Sequence, residues 1–262
     1  MTKKHNDVEF KEKFKQALTS TIKVISEDFN IKVNSKNKES QKFDLFEIDN
    51  LNNINDFIKA RATSDSKALK IKFSDENIYK KNLPSNSACR SLYAIAEKVR
   101  YESLGGKMLK GIKKNFEDNY NLMISNKKKN HPKSKEDVSI AEAFELYMLN
   151  KFHNIKLDNS SSKIMKFWES DFDKSINKHL NFLKDNLEDQ HKYSRKFSEI
   201  LQEMEIFQTN DEEEIKNENQ DDKQNDHSKQ DQDSNDDATK DQNQDSKTDA
   251  SIDTDYDIDE YK

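Results

Sequence analysis

Apolar residues recur every three or four positions along most of the first 207 residues, which is the period of an amphipathic α-helix. The longest regular stripe predicts a helix over residues 8–29 and consists of Phe10, Phe14, Leu18, Ile22, Ile25 and Phe29. Stripes of the same period predict further helices over 58–69, 89–103, 108–123, 138–152 and 164–172. The last stripe, over 176–207, predicts one long helix or a kinked pair. The pattern therefore predicts a mainly α fold.

Three places interrupt this pattern or leave it open. Two short apolar segments near 31–48 could pair as a small β-hairpin, since apolar and acidic residues alternate around Phe43. The alternation of apolar residues with lysines over 69–73 makes strand a competing interpretation of that segment. Gly105 or Gly106 is expected to stop the helix before it, as a glycine just past a helix end does.

Charge is unevenly distributed along the chain. Residues 211–262 hold 20 Asp and Glu against 6 Lys, a net charge of −14, so residues 1–210 carry +8 of the total of −6. The acidic segment contains no Leu, Val, Phe, Met or Trp. So little apolar surface cannot offset an ordering cost of about 1–2 kcal/mol per residue. We therefore expect a helical domain over 1–208 and a disordered acidic tail over 209–262.

Composition excludes several function classes. The three glycines, Gly105, Gly106 and Gly111, begin neither a P-loop nor a G-x-G-x-x-G fingerprint. The one cysteine, Cys89, cannot form an internal disulfide or a four-cysteine zinc site, and we expect it to be a small packed residue. No apolar run is long enough for a membrane span, and the charged N-terminus shows no signal peptide. A cytoplasmic location is expected.

Three further patterns have a plain structural interpretation. The string Asp158–Ser162 fits D-x-S-x-S, the start of a metal-ion-dependent adhesion site, but it lies between predicted helices, so a helix cap is expected. The six histidines show no H-x-x-x-H or H-E-x-x-H spacing. The basic cluster at 127–133 lacks interleaved aromatics, which favours a solvated loop or a docking site for the acidic tail over nucleic-acid binding. We expect no catalytic, cofactor or metal site on this chain.

The densest group of charged and aromatic residues lies on the predicted helix that precedes the first glycines. By itself it suggests an exposed helix stabilised by charge pairs between neighbouring turns. The neighbours at helical spacing are Glu97 with Tyr101, Lys98 with Glu102, and Arg90 with Glu97. The string from Ser87 to Gly105, SACRSLYAIAEKVRYESLG, resembles the V-R-Y-E-x-L-G helix of the CobT family, a subunit of aerobic cobaltochelatase. Other positions that carry the resemblance are Ala60, Arg61, Asp65, Ala68, Leu69, Asp75, Pro84, Gly111 and Asn115.

The resemblance implies membership in an ATP-driven complex that inserts Co²⁺ into hydrogenobyrinic acid a,c-diamide during cobalamin synthesis. It implies two partners, an AAA+ subunit that hydrolyses ATP and a large subunit that holds the corrin and the metal. ATP, Mg²⁺ and Co²⁺ would then be used by the complex, with no cofactor on this chain. The chain would assemble with the AAA+ ring and couple it to the large subunit. The family's C-terminal von Willebrand A domain has no counterpart in these 262 residues.

The resemblance also singles out eight residues as structural or partner-contact positions: Arg61, Asp65, Arg90, Glu97, Arg100, Tyr101, Glu102 and Gly105. Two other classes of function stay open. The acidic tail would suit an adaptor or chaperone-like protein that binds basic partners, and the basic remainder would suit a helical RNA- or DNA-binding domain. Neither explains the string from Ser87 to Gly105, so a cobaltochelatase scaffold is the preferred interpretation.

Overall fold

The structure, a computed structural model, describes residues 2–31, 51, 53–126 and 132–204, with backbone only for 2–8. These residues belong to the first of two structural units, Met1–Phe207. Within these ranges they form nine α-helices and one 3-10 turn, and no strand. The helices are α1 Thr2–Ser26, α2 Ile54–Phe73, α3 Glu76–Lys81, α4 Ser87–Met108, α5 Lys110–Asn126, α6 Ile140–His153, α7 Asn159–Ile176, α8 Leu180–Asp185 and α9 Gln190–Gln202.

The mainly α prediction is confirmed for the described residues. None of the helices they form combines the length and the apolar character needed to cross a lipid bilayer. Apart from Ile31, the predicted hairpin near 31–48 lies outside the described residues. The acidic tail over 209–262 also lies outside them, so the domain boundary between 208 and 209 stays a prediction.

Side-chain caps fix the start of most of these helices. Asn53 accepts hydrogen bonds from the amides of Asn55 and Asp56, and the Asp56 carboxylate accepts one from the Asn53 amide. This arrangement is a complete capping box. The residues that cap α3, α4, α7 and α9 are Asp75, Asn86, Asp158 and Asp189. Local polar residues therefore set where the helices begin, as the expected cap at Asp158 illustrates.

Residues 69–73 are helical, so the strand interpretation of this segment is wrong. They form the last turns of α2, and the Ser74 amide closes the helix on the Lys70 carbonyl at 2.9 Å. The side chain of Leu69, on α2, is fully buried against Gly105 of α4. Three alternating apolar residues are too short a pattern to compete with the helical packing of the whole 20-residue element.

Neither Gly105 nor Gly106 stops α4, which ends at Met108 with Leu109 as its C-cap residue. No glycine in the chain has a positive φ angle, so the expected left-handed cap is absent. The prediction failed because Gly105 is required for a tertiary contact instead. A Cβ atom built on Gly105 would lie 2.6 Å from the Leu69 Cδ2 atom on α2.

Of the two predictions for 176–207, one long helix or a kinked pair, the structure agrees with the second, since α8 and α9 are separate helices. A 3-10 turn, Asn177–His179, follows α7, and α8 ends at Asp185. The Asp189 carboxylate then accepts a hydrogen bond from the Lys192 amide and starts α9. The helical apolar period continues through the break, but Asp189 offers the backbone a cap and thereby sets a new helix start.

The stripe that predicted the first helix is only partly buried. Leu18, Ile22 and Ile25 are buried, whereas Phe10 is 57% exposed and Phe29 is 68% exposed. Phe29 lies beyond the end of α1 at Ser26. At the other end, Phe10 reaches the start of α2, where its ring lies 5.5 Å from that of Phe57.

Helix α4 is the central element of the unit. Twelve of its 22 residues are buried, so the expectation of an exposed helix is wrong. It packs against α2, α5, α6 and α9. Hydrogen bonds from Ser66 to Glu102 and from Ser74 to Glu97 show that α2 and α4 are antiparallel. The family-like string therefore lies in the core of the fold.

Candidate functional site

Helix α4 carries three charged side chains into the core. Arg100 and Glu102 are each 1% exposed, and Glu97 is 4% exposed. Charged groups are rarely this buried, because removal from water is unfavourable unless each charge is paired and hydrogen-bonded. These three residues and their partners therefore form a large part of the polar interior, to which Asp65 and Glu145 also belong.

Arg100 and Glu97 form a two-pronged ion pair one turn apart on α4. The Arg100 Nε atom donates to Glu97 Oε2 at 2.9 Å, and Nη2 donates to Glu97 Oε1 at 2.8 Å. This fork geometry matches a guanidinium to a carboxylate and gives the pair direction as well as strength. The pairs expected from sequence, Glu97 with Tyr101 and Lys98 with Glu102, are not the ones that organise this region.

The remaining Arg100 donors reach two other parts of the chain. Nη1 donates to the carbonyl of Leu187 at 2.9 Å, and Nη2 donates to the carbonyl of Phe73 at 2.5 Å. Phe73 ends α2, and Leu187 lies in the turn between α8 and α9. One guanidinium group therefore joins three segments of backbone that are distant in sequence.

Gln190, the first residue of α9, completes the arrangement. Its Nε2 atom donates to Glu97 Oε1 at 2.9 Å, and its Oε1 atom accepts from the Asp75 amide at 2.7 Å. Ser74 and Ser194 hydroxyls also point to the Glu97 carboxylate, at 2.9 and 3.5 Å. We call Ser74, Glu97, Arg100, Gln190 and Ser194 the Arg100 cluster.

A second group, the Glu102 cluster, consists of Ser66, Glu102 and Tyr120. The Ser66 hydroxyl donates to Glu102 Oε1 at 2.6 Å, and the Tyr120 hydroxyl donates to Oε2 at 2.5 Å. Burial raises the pKa of Tyr120 well above its ordinary value, and the nearby Glu102 charge raises it further. Tyr120 therefore stays a neutral donor, and the cluster joins α2, α4 and α5.

Asp65 and Asn115 make a third polar contact, between α2 and α5. The Asn115 Nδ2 atom donates to Asp65 Oδ2 at 2.6 Å. Burial raises the pKa of Asp65 above 3.8, although the Asn115 hydrogen bond and the Arg61 charge act in the opposite direction. Arg61 itself is exposed. The contact joins two positions of the sequence resemblance that lie 50 residues apart.

The raised pKa of Asp65 predicts a pH effect. Its stabilising contribution is present below the unfolded pKa of about 3.8 and is lost as pH rises through the higher folded value. Asp65→Asn keeps an acceptor for Asn115 and removes the ionisation. We expect the variant's stability relative to wild type, measured by urea unfolding, to increase as pH rises above about 4. Asp118→Asn on α5, with a carboxylate 42% exposed, is the control. Parallel pH curves for Asp65→Asn and wild type would contradict this account.

Arg90 and Tyr101 belong to neither the Arg100 cluster nor the Glu102 cluster. The Arg90 guanidinium donates to the carbonyls of Pro84 and Ser85 at 2.9 Å each, which closes the loop that leads into α4. We expected Arg90 to be a near neighbour of Glu97, but its hydrogen bonds go to these two carbonyls. Tyr101 is 8% exposed. Of the two roles expected for Arg100, Tyr101 and Glu102, burial favours the structural one over direct partner contact.

The other residues singled out in the sequence are the D-x-S-x-S string, Cys89, the candidate metal ligands and the basic segment. Asp158 Oδ1 accepts from the Ser161 amide at 2.7 Å, so the D-x-S-x-S string is a helix cap. Cys89 is buried, with its Sγ atom 3.7 Å from the Leu201 carbonyl oxygen, as expected for a packed residue. Among the described residues, no three His, Cys, Asp or Glu side chains are grouped so that they could hold a metal ion. The basic segment at 127–131 lies outside the described residues.

Sequence reasoning missed Ser66, Ser74, Tyr120, Gln190 and Ser194. Each is a polar partner of a charged residue on α4 and lies on α2, α5 or α9, or directly after α2 in the case of Ser74. Gln190 meets the Asp75 amide across 115 residues of sequence. No local pattern marks such a contact. The run of charged residues on α4 was a weak signal, because it fits an exposed helix equally well.

An open cleft of about 660 Å³ lies above the Arg100 cluster. Ser74 and Gln190 belong to both the cluster and the cleft wall. The other lining residues are Lys72, Phe73, Asp75, Ile78, Glu188, Asp189 and His191. The lining is therefore contributed by the end of α2 with the start of α3 and by the residues that precede and begin α9, which the Arg100 cluster joins by hydrogen bonds.

Comparison with known proteins identifies the family. No curated protein and no solved structure matches the chain. The family model described as "Cobalamin biosynthesis protein CobT" matches residues 9–260 of the 262. The matched range includes α4 and the buried partners of its charged residues. The chain therefore belongs to the CobT family of cobalamin biosynthesis proteins.

Proposed function

We propose that this chain is the subunit of an ATP-dependent cobaltochelatase that binds no nucleotide and acts as an assembly and coupling scaffold. The reaction of the complex would insert cobalt into hydrogenobyrinic acid a,c-diamide, in the cytoplasm. Membership in the CobT family supports a place in cobalamin biosynthesis. The partners in this proposal are an AAA+ subunit and a large corrin-binding subunit in a ring-shaped assembly. ATP, Mg²⁺ and Co²⁺ would be bound by those partners.

The observation that carries the scaffold role is the use of the charged residues on α4. The hydrogen bonds of Arg100, Glu97 and Glu102 join α2, α9 and α5 to α4. A catalytic side chain has to reach a substrate, and these side chains are enclosed. The most family-like helix thus serves to hold other helices in fixed positions, which is what a coupling element requires.

Reconstitution tests this proposal. The full chain, the AAA+ partner and the large subunit are purified separately and mixed with ATP, Mg²⁺, Co²⁺ and the corrin substrate. We expect cobalt insertion only when all three proteins are present, and co-elution of the chain with the AAA+ partner during gel filtration. Cobalt insertion at an equal rate without the chain, or ATP hydrolysis by the chain alone, would contradict the scaffold role.

A second candidate function is that of an acidic-tailed adaptor that binds basic partners. The charge of the acidic segment favours it. Residues 211–262 carry −14. In that case the chain should bind histone-like basic proteins in a salt-sensitive manner, and removal of 211–262 should abolish binding. In the cobaltochelatase case, binding to the AAA+ partner should persist at a salt concentration that removes the basic proteins.

A further inference from the structure

Helix α9 is attached to the unit by different forces at its two ends. Its last turns bury the apolar side chains Phe197, Ile200 and Leu201. Its first turn instead offers Gln190 and Ser194 to the Glu97 carboxylate. The turn before it offers the Leu187 carbonyl to Arg100. The start of α9 is therefore held by these hydrogen bonds together with the buried Tyr193 ring, and its end mainly by apolar packing.

These two kinds of attachment differ in what they specify. Apolar burial depends on the area removed from water, so a helix that shifts along its axis can recover much of it. A hydrogen bond requires a donor and an acceptor at one distance and angle. Arg100 reaches the Leu187 carbonyl before α9, and Glu97 accepts from Gln190 and Ser194 on α9, so these contacts are made together in one position of α9.

We propose that Arg100, with Glu97 and Gln190, forms a register lock that fixes the axial position of α9 on α4. Arg100 and Glu97 are positioning residues in this device, because they act by placing the backbone of other segments. Gln190 also lines the cleft, so the lock helps to fix that part of the cleft wall. Loss of the lock leaves α9 attached by its apolar face and by the hydrogen bond from the Tyr193 hydroxyl to the Ala96 carbonyl, with its first turns less firmly placed on α4.

The lock has a mechanical consequence, which rests on the proposed function. Helices α4 and α9 are antiparallel, because the Tyr193 hydroxyl donates to the Ala96 carbonyl while Cys89 lies beside the Leu201 carbonyl. The chain continues from the end of α9 at Gln202, and the lock is at the opposite end, at Gln190. A pull transmitted from beyond Gln202 therefore separates the apolar turns first and reaches the lock last. The lock would keep α9 coupled to α4 under load.

Arg100→Lys tests the lock in the full chain. Lysine keeps the charge that neutralises Glu97, but a single ammonium group cannot reproduce the planar fork that also reaches the Phe73 and Leu187 carbonyls. In hydrogen–deuterium exchange we expect the α9 amides to lose protection while those of α5 and α6 keep it. Unchanged protection of α9 would overturn the lock, since charge neutralisation alone would then explain Arg100.

Two further variants keep the test decisive. Arg195→Lys changes an exposed arginine of α9 paired with Glu199, and it should leave the exchange pattern of wild type. Gln190→Met removes the α9 end of the lock and leaves the Glu97–Arg100 pair in place. It should reproduce the loss of α9 protection, and it decides the question if Arg100→Lys unfolds the whole unit. Wild-type protection of α9 in Gln190→Met would then overturn the proposal.

The mechanical consequence is tested with the three-protein cobalt insertion assay. We expect Arg100→Lys to co-elute with the AAA+ partner and yet to lose cobalt insertion, because assembly persists and transmission fails. Full cobalt insertion by a variant that has lost α9 protection would overturn the mechanical consequence and leave the lock itself standing. Failure of the wild-type chain in the same assay would count against the proposed function, and the lock would be decided by exchange alone.

Discussion

Replacement of Arg100 by methionine should lower the free energy of unfolding by about 3–5 kcal/mol, the usual effect of removing one partner from a buried ion pair. Methionine leaves the Glu97 carboxylate buried without its charge partner. It also leaves the carbonyls of Phe73 and Leu187 without the donors that Arg100 supplies. Since domains of this size are stable by about 5–15 kcal/mol, the variant should be close to the limit of folding.

Urea unfolding followed by circular dichroism measures this effect. Arg195→Met is the matched control, because its guanidinium pairs with Glu199 on the surface and is 69% exposed. Exposed ion pairs contribute little to stability, so the control should unfold at the same urea concentration as wild type. An equal, small effect of both substitutions would show that water replaces the Arg100 guanidinium without loss.

The double variant Glu97→Leu/Arg100→Met separates charge from geometry. It removes both charges, so no carboxylate stays buried without a partner, and apolar replacement of a buried pair is often neutral for stability. We expect it to recover much of the stability lost in Arg100→Met. Recovery of stability without recovery of α9 protection would assign the pair to positioning and would agree with the register lock. A double variant no more stable than Arg100→Met would place the loss in the backbone contacts of Arg100 instead.

The helical periodicity of the sequence was sufficient for element type because it repeats over many residues within each helix. Local capping chemistry was sufficient for helix starts, as at Asp158, where one side chain satisfies nearby amides. Both signals are short-range. The break before α9 shows their limit, since the apolar period runs on through the point at which Asp189 starts a new helix.

The interior could not be predicted in the same way. Arg100, Glu97 and Glu102 look like surface residues, because charged side chains are seldom fully buried unless their partners are in place. Those partners come from other helices, up to 97 residues away in the case of Ser194 and Glu97. The resemblance to the CobT family marked the correct helix but did not reveal that its charged residues face inward.

Gly105 provides the second large effect, through its contact with Leu69. A Cβ atom at position 105 would lie 2.6 Å from Leu69 Cδ2 and 3.0 Å from Cγ, and Leu69 is fully buried and cannot swing into solvent. Overpacking of this kind costs about 1–3 kcal/mol. It should outweigh the gain of about 0.5–1 kcal/mol that alanine gives over glycine inside a helix. Gly105→Ala is therefore expected to be destabilised in urea unfolding.

Gly106→Ala is the matched control in the next position of the same helix. Its new Cβ atom would lie 3.5 Å from the Lys113 Cβ, an ordinary contact. Without a clash, only the gain in helix propensity remains, so this variant should be stabilised by about 0.5–1 kcal/mol. Opposite signs at adjacent glycines would show that packing against α2, and not a general effect of glycine in α4, determines the result.

Leu69→Ala completes a double-mutant cycle with Gly105→Ala. Alone, Leu69→Ala should cost about 2–5 kcal/mol, because it removes a fully buried side chain and leaves a cavity. In the double variant the alanine methyl at position 105 enters part of that cavity and no longer meets Leu69. The combined loss should therefore be smaller than the sum of the two single losses, as residues in direct contact are expected to behave. Strict additivity would mean that α2 and α4 are further apart than the structure places them, and that Gly105 has a role other than close helix packing.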